Sequence, residues 1–312
     1  MRRRHFVFVV SLSMAMFLGL GSAPAATRLR VVVTVGDLAA IARAVLGDGG
    51  QVVLLARPTQ DPHFVDARPN LILDLNRADA LVSMGLDYEV GWLPVLVRGA
   101  RNPRIQQGAP GYIVAATAVP LLEVPQQRID RSMGDIHPGG NPHFTMDPRN
   151  GIAVARFLAT AFAGLAHDNR ALYERNAATF TAALTARVQG WQAALAPHRG
   201  TAVVTYHKSF VYLTGWAGLV EAGTIEPKPG IPPNAAHVAE LIGTIRARHV
   251  PVILQERWYP STVAEQIAVQ SGARLVLVPG MTPEGGNYGD HIDEVVRDLL
   301  AGLAAAGGGH KP

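Results

Sequence analysis

Three histidines stand in predicted loops beside predicted strands and helices. His63 lies in the segment DPHF, His143 in the segment NPHFTMDP, and His207 in the segment TYHKSF, which directly follows a strand-like run. Imidazole nitrogen is a common ligand of zinc and of related transition metals. Open parallel sheets bind ligands beyond the carboxyl ends of their strands, so all three rings can converge on one cleft. The sequence therefore predicts a metal site made of these three histidines, although a single loop histidine is more often solvated.

Short aliphatic runs alternate with helical patterns in both halves of the chain. Predicted strands cover residues 30–35, 51–55, 80–84, 111–116, 202–205, 251–255 and 274–278. Predicted helices between and after them cover residues 38–46, 71–76, 88–97, 238–248, 262–271 and 292–305. Strict alternation predicts parallel sheets covered on both faces. We therefore expect an α/β fold of two lobes, each with a central, mainly parallel sheet flanked by helices.

The middle of the chain favours helix from residue 151 to residue 198, with a break at residues 166–169. Asp168 is suited to cap a second helix through residues 170–195, whose apolar positions recur at steps of three and four. At 1.5 Å per residue, such a helix is about 40 Å long, enough to join two lobes as one rigid helix. The predicted divisions are an N-terminal lobe at 27–167, a linking helix at 168–198 and a C-terminal lobe at 199–306.

The N-terminus has the pattern of a cleavable secretory signal peptide. Arg2, Arg3 and Arg4 precede an uncharged apolar run at residues 6–20, and small residues follow at residues 21–26. The apolar run is shorter than the roughly 20 residues of a membrane-spanning helix. We therefore expect cleavage after Ala26 and a soluble periplasmic protein.

The chain has no cysteine, which excludes disulfides, thiolate metal sites and a lipid-bearing cysteine. A transition metal must then be held by imidazole and carboxylate groups. Lysine and arginine number 28 against 24 acidic residues, and the signal peptide takes three of the arginines. Because the mature chain is close to neutral, we expect no nucleic-acid partner.

The order of the three histidine segments resembles the cluster A-I (cluster 9) metal-binding lipoproteins and periplasmic proteins. The segments GDIHP at residues 134–138 and IEPKPGIPP at residues 225–233 are similar to those of its zinc-specific members. The resemblance covers residues 30–305. It implies two lobes joined by one long rigid helix, with Zn²⁺ or Mn²⁺ bound in the cleft between them. It also implies delivery of the ion to the membrane permease and ATPase of an ABC importer.

The same resemblance implies that His63, His143 and His207 are metal ligands. Manganese-binding members tend to carry a carboxylate at the third position, whereas this chain has a histidine there. Imidazole suits zinc, while manganese prefers oxygen ligands. We therefore expect Zn²⁺ as the cargo, with Mn²⁺ as the alternative.

The fourth ligand is open at this stage. Family members often place an aspartate ahead of an aromatic residue near the start of the last helix, where this chain reads GGNYGD at residues 285–290. The nearest aspartate is Asp290, which we predict as the fourth ligand, although it could instead cap the helix. Glu256, which follows a predicted strand, or a water molecule are the alternatives.

Further residues near these segments are candidates for supporting roles. His137 is a candidate accessory ligand in a long loop predicted at residues 123–148, and a solvated histidine is the alternative. Asp61, Asp66 and Asp147 are candidates to orient a ligand ring, although Asp61 and Asp147 precede proline and could simply initiate turns. The segment 226–233, with four prolines, is expected to form a semi-rigid loop near the cleft.

Two other functions fit parts of this pattern. Three histidines and a water are also a catalytic zinc arrangement, so a secreted zinc hydrolase is an alternative. The chain lacks HExxH and G-x-S-x-G segments, which disfavours that alternative. The other alternative function is that of a two-lobed binding protein that carries a metal chelate. For the transport protein we expect a monomer, with a zinc chaperone as a possible further partner.

Overall fold

The computed structural model describes residues 27–127, 134 and 136–307. The predicted signal peptide, residues 128–133 and 135 of the long loop, and the last five residues lie outside the described residues. Within the part that is described, none of the helices combines the length and the apolar character needed to cross a membrane.

The first sheet contains four parallel strands in the order β2-β1-β3-β4. These strands are β1 (Leu29–Val33), β2 (Gly50–Leu54), β3 (Ala80–Ser83) and β4 (Tyr112–Val114). Helices α1 (Gly36–Leu46), α2 (Pro69–Asn76) and α3 (Leu93–Ala100) cover it. Val31 and Val33 pack with α1 on one face, and Val32 packs with α2 and α3 on the other. Both faces are therefore buried, which is why the strands are almost entirely aliphatic.

The second sheet repeats this topology, with parallel strands in the order β6-β5-β7-β8. These strands are β5 (Ala202–Thr205), β6 (Val220–Thr224), β7 (Val252–Glu256) and β8 (Arg274–Val278). Helices α6 (Val211–Ala217), α7 (Ala235–Ala247), α8 (Thr262–Ser271) and α9 (Tyr288–Gly307) accompany it. Two parallel sheets flanked by helices confirm the predicted fold class.

Three elements differ from the sequence prediction. Strand β6 and helix α6 were not predicted. The strand was missed because its sequence, VEAGT, carries a charge and a glycine that strands disfavour. This strand lies at the edge of its sheet, where such residues are tolerated. Helix α3 begins at Leu93 instead of Tyr88, since Leu86 and Asp87 both have positive φ and start a series of turns.

The long helix α5 (Arg170–Leu195) follows α4 (Pro148–Leu165) and joins the two lobes. Its inward residues recur every three or four positions: Tyr173, Ala177, Thr181, Leu184, Val188, Trp191 and Leu195. Near one end, the Tyr173 hydroxyl donates to the carbonyl of Gly49 at 3.0 Å. Near the other end, Trp191 Nε1 donates to Asp293 of α9 at 2.9 Å. The helix is thus attached to both lobes, as predicted.

The lobes also contact each other directly. One continuous apolar core contains side chains from the facing surfaces of both sheets and from α4, α5 and α9. Beside this core, Oδ1 of Asp37 in α1 accepts from the backbone nitrogen and the hydroxyl of Thr282, at 2.8 and 2.7 Å. Trp216 Nε1 donates to the carbonyl of Met146 at 2.8 Å. Shared apolar packing and buried hydrogen bonds make the two lobes one mechanical unit.

Candidate metal centre

The structure brings His63, His143 and His207 together between the lobes. One potential ligand atom from each ring lies within 4.8 Å of those of the other two. The centroids of the three rings are 5.2 to 5.5 Å apart. His63 comes from the loop after β2, His143 from the turn that leads into α4, and His207 from the end of β5. This grouping fits three ligands of one ion.

Each of these rings is oriented through its Nδ1 atom. The Nδ1 of His63 donates to Asp61 Oδ1 at 2.7 Å, and that of His207 donates to Glu226 Oε2 at 2.7 Å. The Nδ1 of His143 donates to Asn141 Oδ1 at 2.9 Å. A proton held on Nδ1 leaves the lone pair of Nε2 for a metal. All three rings are therefore held in the tautomer that a metal site needs.

The DPH and NPH segments build the same local structure. Asp61 and Asn141 each stand two residues before a histidine and also accept its backbone nitrogen, at 3.0 Å in both cases. Such a side-chain turn is typical of aspartate and asparagine, and the intervening proline fixes the backbone. The X-Pro-His segment thus both orients the histidine ring and determines its tautomer.

Neighbouring side chains fix both of these turns. Trp92 Nε1 donates to the carbonyl of Pro62 at 2.8 Å, which holds the first turn against α3. The Asn141 amide donates to the carbonyl of Lys208 at 2.8 Å, and the Tyr212 hydroxyl donates to the carbonyl of Asn141 at 3.0 Å. The turn that carries His143 is therefore attached to the second lobe, beside His207.

Burial and charge act differently on the three rings and their partners. Burial, together with the charges of His207 and His63, lowers the pKa of His143 well below its usual value. Burial also opposes protonation of His207, but the Glu226 hydrogen bond and nearby carboxylates outweigh it and raise the pKa of His207. Burial opposes ionisation of Asp61, yet its hydrogen bond to His63 and the His63 charge lower the pKa of Asp61.

The charges around the cluster fit a divalent cation. Three neutral imidazoles carry no charge, so the positive charges of the bound ion must be compensated by other buried groups. Asp61 and Glu226 supply two carboxylates, each one hydrogen bond away from the ion through a ligand ring. Two such negative charges match the charge of Zn²⁺ or Mn²⁺.

Asp290 is not brought to this cluster, which corrects the prediction for the fourth ligand. Its side chain is 66% exposed and forms an ion pair with Arg187 at 2.6 Å. Asn287 is the reason, since its Oδ1 accepts from the backbone nitrogen of Gly289 at 2.7 Å at the start of α9. The resulting helix turns Tyr288 and His291 inward and Asp290 outward.

Glu256 and His137 lie closer to the histidine cluster. Glu256, at the end of β7, is buried and lines a cavity of about 20 Å³ together with His143 and Ser209. Burial raises the pKa of Glu256 to about 7, although the charge of His207 opposes this. The His137 ring stacks on His63 with centroids 5.5 Å apart, and burial lowers the pKa of His137 to about 4.

The other aspartates singled out in the sequence have different positions. Asp61 orients His63, as described above, whereas Asp66 is exposed. Asp147 caps α4 by accepting the backbone nitrogen of Arg149 at 2.9 Å, and it pairs with the Arg149 side chain. Only the first of the three aspartates orients a ligand ring.

Sequence reasoning missed Glu226 as a partner of the site. Strands β5 and β6 pair with Thr205 opposite Thr224, and His207 and Glu226 each stand two residues beyond this pair. The two side chains therefore meet at the same edge of the sheet. Recognition of β6 as the neighbour of β5 would have placed Glu226 there. Asn141 was missed as well, although its segment repeats the pattern of Asp61.

A cavity of about 640 Å³ opens over the cluster. His137, His143 and His207 lie in its wall, together with Lys208 and Pro229. The Lys208 ammonium is paired with Glu123 and Glu221, both at 2.9 Å. This lysine is therefore neutralised by two carboxylates, and the cavity offers a hydrated cation a way to the rings of His143 and His207.

Replacing Asp61 by alanine is expected to lower the affinity for Zn²⁺ by about 10- to 100-fold. The change removes the acceptor that selects the tautomer of His63, together with a negative charge close to the ion. Competition with a chelator of known affinity measures the effect. Asp66→Ala removes an exposed carboxylate of the same loop and is the matched control. Equal affinities of the two variants would contradict the role given to Asp61.

In the metal-free protein, the buried histidines are expected to reduce stability as the pH falls below about 6.5. Burial lowers the pKa of His143 and of His291 in the folded protein, so the unfolded chain binds more protons below that pH. Each histidine then lowers the free energy of unfolding by at most about 1.4 kcal/mol at pH 5.5. The raised pKa values of His207 and of Glu256 act in the opposite direction, because the folded protein then binds more protons than the unfolded chain as the pH falls.

Urea unfolding at pH 7.5 and pH 5.5 measures this loss. His291 is the residue to change, because its ring is buried beside Asp37, with Nε2 and Oδ1 3.7 Å apart. Over this pH interval, the stability of His291→Leu is expected to fall less than that of the unchanged protein, by at most about 1.4 kcal/mol. An identical loss in both proteins would show that His291 is not kept neutral by the fold.

Comparison with known proteins agrees with this geometry. The family described as "ZnuA: Zinc-uptake complex component A periplasmic" matches residues 31–302. The high-affinity zinc uptake system protein ZnuA of Paracoccus denitrificans (strain Pd 1222) is 25% identical, covering 95% of this chain and 96% of that protein.

Two solved structures share the fold. A crystal structure of ZnuA has a TM-score of 0.74 at 23% identity, covering 88% of this chain and 98% of the other. FpvC from Pseudomonas aeruginosa in complex with Mn²⁺ has a TM-score of 0.71 at 25% identity, covering 90% and 98%. Because the family match extends over most of the sequence, the chain belongs to the family of periplasmic zinc-uptake components described as ZnuA.

Proposed function

We propose that this protein captures Zn²⁺ in the periplasm and delivers it to the permease and ATPase of an ABC importer. The observation that carries the proposal is the cluster of His63, His143 and His207, each held by its Nδ1 atom. Membership of the zinc-uptake family supports the transport role. Residues 1–26 serve in this proposal as a cleavable signal peptide, and the mature protein acts as a monomer.

Zinc is the preferred cargo because the site offers three nitrogen donors. Affinity for nitrogen ligands rises from manganese to zinc, and zinc accepts four ligands in a tetrahedron. We place a water molecule from the cavity at the fourth position, with His137 as an accessory ligand beside it. Glu256 then acts as a buried charge near His207 instead of as a ligand. Manganese, which FpvC binds, is the alternative cargo.

The bound ion is cargo in this proposal, and the protein performs no reaction on it. Two observations favour binding over hydrolysis. The family is a transport family, and the carboxylates of Asp61 and Glu226 accept hydrogen bonds from ligand rings. Neither Asp61 nor Glu226 is then available as a general base for an attacking water. A zinc chaperone that loads the site is a further proposed partner.

Metal content tests this function directly. The protein is purified without an affinity tag or chelator, and its metals are measured by mass spectrometry beside the variant His63→Ala/His143→Ala/His207→Ala. We expect about one equivalent of zinc in the protein and none in the variant. One equivalent of manganese would correct the cargo and keep the transport role. A protein that stays metal-free after zinc is added would refute the proposal.

A further inference from the structure

The proline-rich loop at residues 226–233 contains a tight turn at its exposed end. The backbone nitrogen of Ile231 donates to the carbonyl of Lys228 at 2.9 Å, which closes a four-residue turn. Its third residue is Gly230, with φ of +73°, and its second is Pro229. Proline second and a left-handed glycine third define a type II turn. The sequence KPGI therefore specifies this turn type.

Glu226 connects this turn to the metal centre. Its Oε2 atom accepts from His207 Nδ1 at 2.7 Å and from the backbone nitrogen of Gly230 at 3.0 Å. The side chain of Glu226 is only 10% exposed, although the loop after it lies at the surface. A single buried carboxylate oxygen thus holds both a ligand ring and the central peptide of an exposed turn.

The position of the turn suggests which partner contacts it. Pro229 lies in the wall of the cavity of about 640 Å³ that His143 and His207 also line. The cavity therefore offers an ion held by His143 and His207 a route to the surface. A permease that receives the ion must cover the cavity, and Lys228 and Ile231, on either side of the Pro229–Gly230 peptide, are exposed.

The turn has two available forms. Type I and type II turns differ mainly by rotation of their central peptide, which here joins Pro229 and Gly230. In the type I form the nitrogen of Gly230 would point away from Glu226. The carboxylate would then lose one of its two hydrogen bonds, and its position beside His207 would be less firmly fixed. A contact that favours one form over the other therefore acts on a metal ligand.

We propose that the turn Lys228–Ile231 is the contact through which the permease triggers zinc release, with Glu226 transmitting the change of the turn to His207. The inference rests on the proposed function and adds a docking element and a positioning residue to it. Glu226 does not touch the ion. It fixes the orientation and tautomer of His207, so its loss acts on the rate at which the ion leaves.

Substitutions of Gly230 change the balance between the type I and type II forms of the turn. Gly230→Val disfavours positive φ and so favours the type I form, whereas Gly230→Asn tolerates positive φ and keeps more of the type II form. We expect zinc to dissociate at least about tenfold faster from Gly230→Val, with a smaller change for Gly230→Asn. Rapid mixing of the zinc-loaded protein with excess chromogenic chelator measures the rate.

Gly272→Val is the matched control for backbone strain. Gly272 also has positive φ, at +83°, and ends α8 in open space. This variant is expected to lose stability but to release zinc at the rate of the unchanged protein. Gly230→Val releasing zinc at that same rate would overturn the proposal. Failure of the unchanged protein to bind zinc would instead refute the proposed function.

Docking of the turn is tested with single cysteines, because the chain has none of its own. Ile231→Cys and Val269→Cys, both at exposed positions, are labelled with a photoreactive crosslinker and mixed with the permease–ATPase complex in nanodiscs. We expect a crosslink to the permease from position 231 and none from position 269, which lies on α8. A crosslink from position 269 alone would overturn the proposed contact.

Discussion

His143→Ala is expected to bind Zn²⁺ about a thousandfold more weakly than the unchanged protein. Structural zinc sites are worth roughly 10–16 kcal/mol, so each of three or four ligands carries about 4 kcal/mol, which is a factor of about a thousand. His143 is the ring that bridges the lobes, because its turn precedes α4 but is hydrogen-bonded to Lys208 and Tyr212 of the second lobe. Alanine removes the donor and leaves a gap that neither neighbouring ring can close. Competition against a chelator of known affinity measures the change.

His167→Ala provides the control for this experiment. His167 is an exposed histidine between α4 and α5, and its ring Nδ1 contacts Arg170 at 3.3 Å. Its loss is expected to leave the affinity for zinc unchanged, since the ring does not belong to the cluster. Near-normal zinc affinity in His143→Ala would mean that the ion binds elsewhere. Thermal unfolding of the metal-free variant shows whether the fold has survived the substitution.

The fold was largely predictable because its determinants are local. Aliphatic strands buried on both faces leave continuous runs such as RVVVTV, and α5 has an apolar side chain every three or four residues. The X-Pro-His segments are local as well, which is why His63 and His143 were found. The lobe boundaries at residues 167 and 198 remain a prediction, because the continuous core between the sheets marks no border there.

The rest of the site depends on pairings that no short segment shows. Glu226 reaches His207 only because β5 and β6 are neighbours, and β6 was hidden by its polar edge sequence. Asp290 was misplaced because an aspartate just inside a helix fits two roles equally well. Its side chain points outward only because Asn287 sets the first residue of α9. The spacing of residues in the sequence does not determine at which residue a helix begins to within one position, and that position decides which side chains face inward.

Saturating zinc is expected to raise the melting temperature by about 10 °C. At free zinc about a thousandfold above the dissociation constant, binding to the folded state alone adds about 4 kcal/mol to the free energy of unfolding. For 150–250 residues each kcal/mol raises the melting temperature by about 2–4 °C, and this longer chain lies near the lower value. The unfolded chain gains little, because its three ligands are separated by long segments and come from both lobes. Differential scanning calorimetry with and without zinc measures the shift.

The number of steps in the thermal unfolding transition tests whether the two lobes unfold together. Both sheets share one core with α5, and Asp37 is hydrogen-bonded to Thr282 across the boundary, so unfolding is expected in one step that zinc moves as a whole. His63→Ala/His143→Ala/His207→Ala should melt in one step that zinc does not move. Two separate transitions, with only one responding to zinc, would show that the lobes unfold independently. The shared core and the Asp37–Thr282 hydrogen bonds would then contribute too little free energy to couple the unfolding of the two lobes.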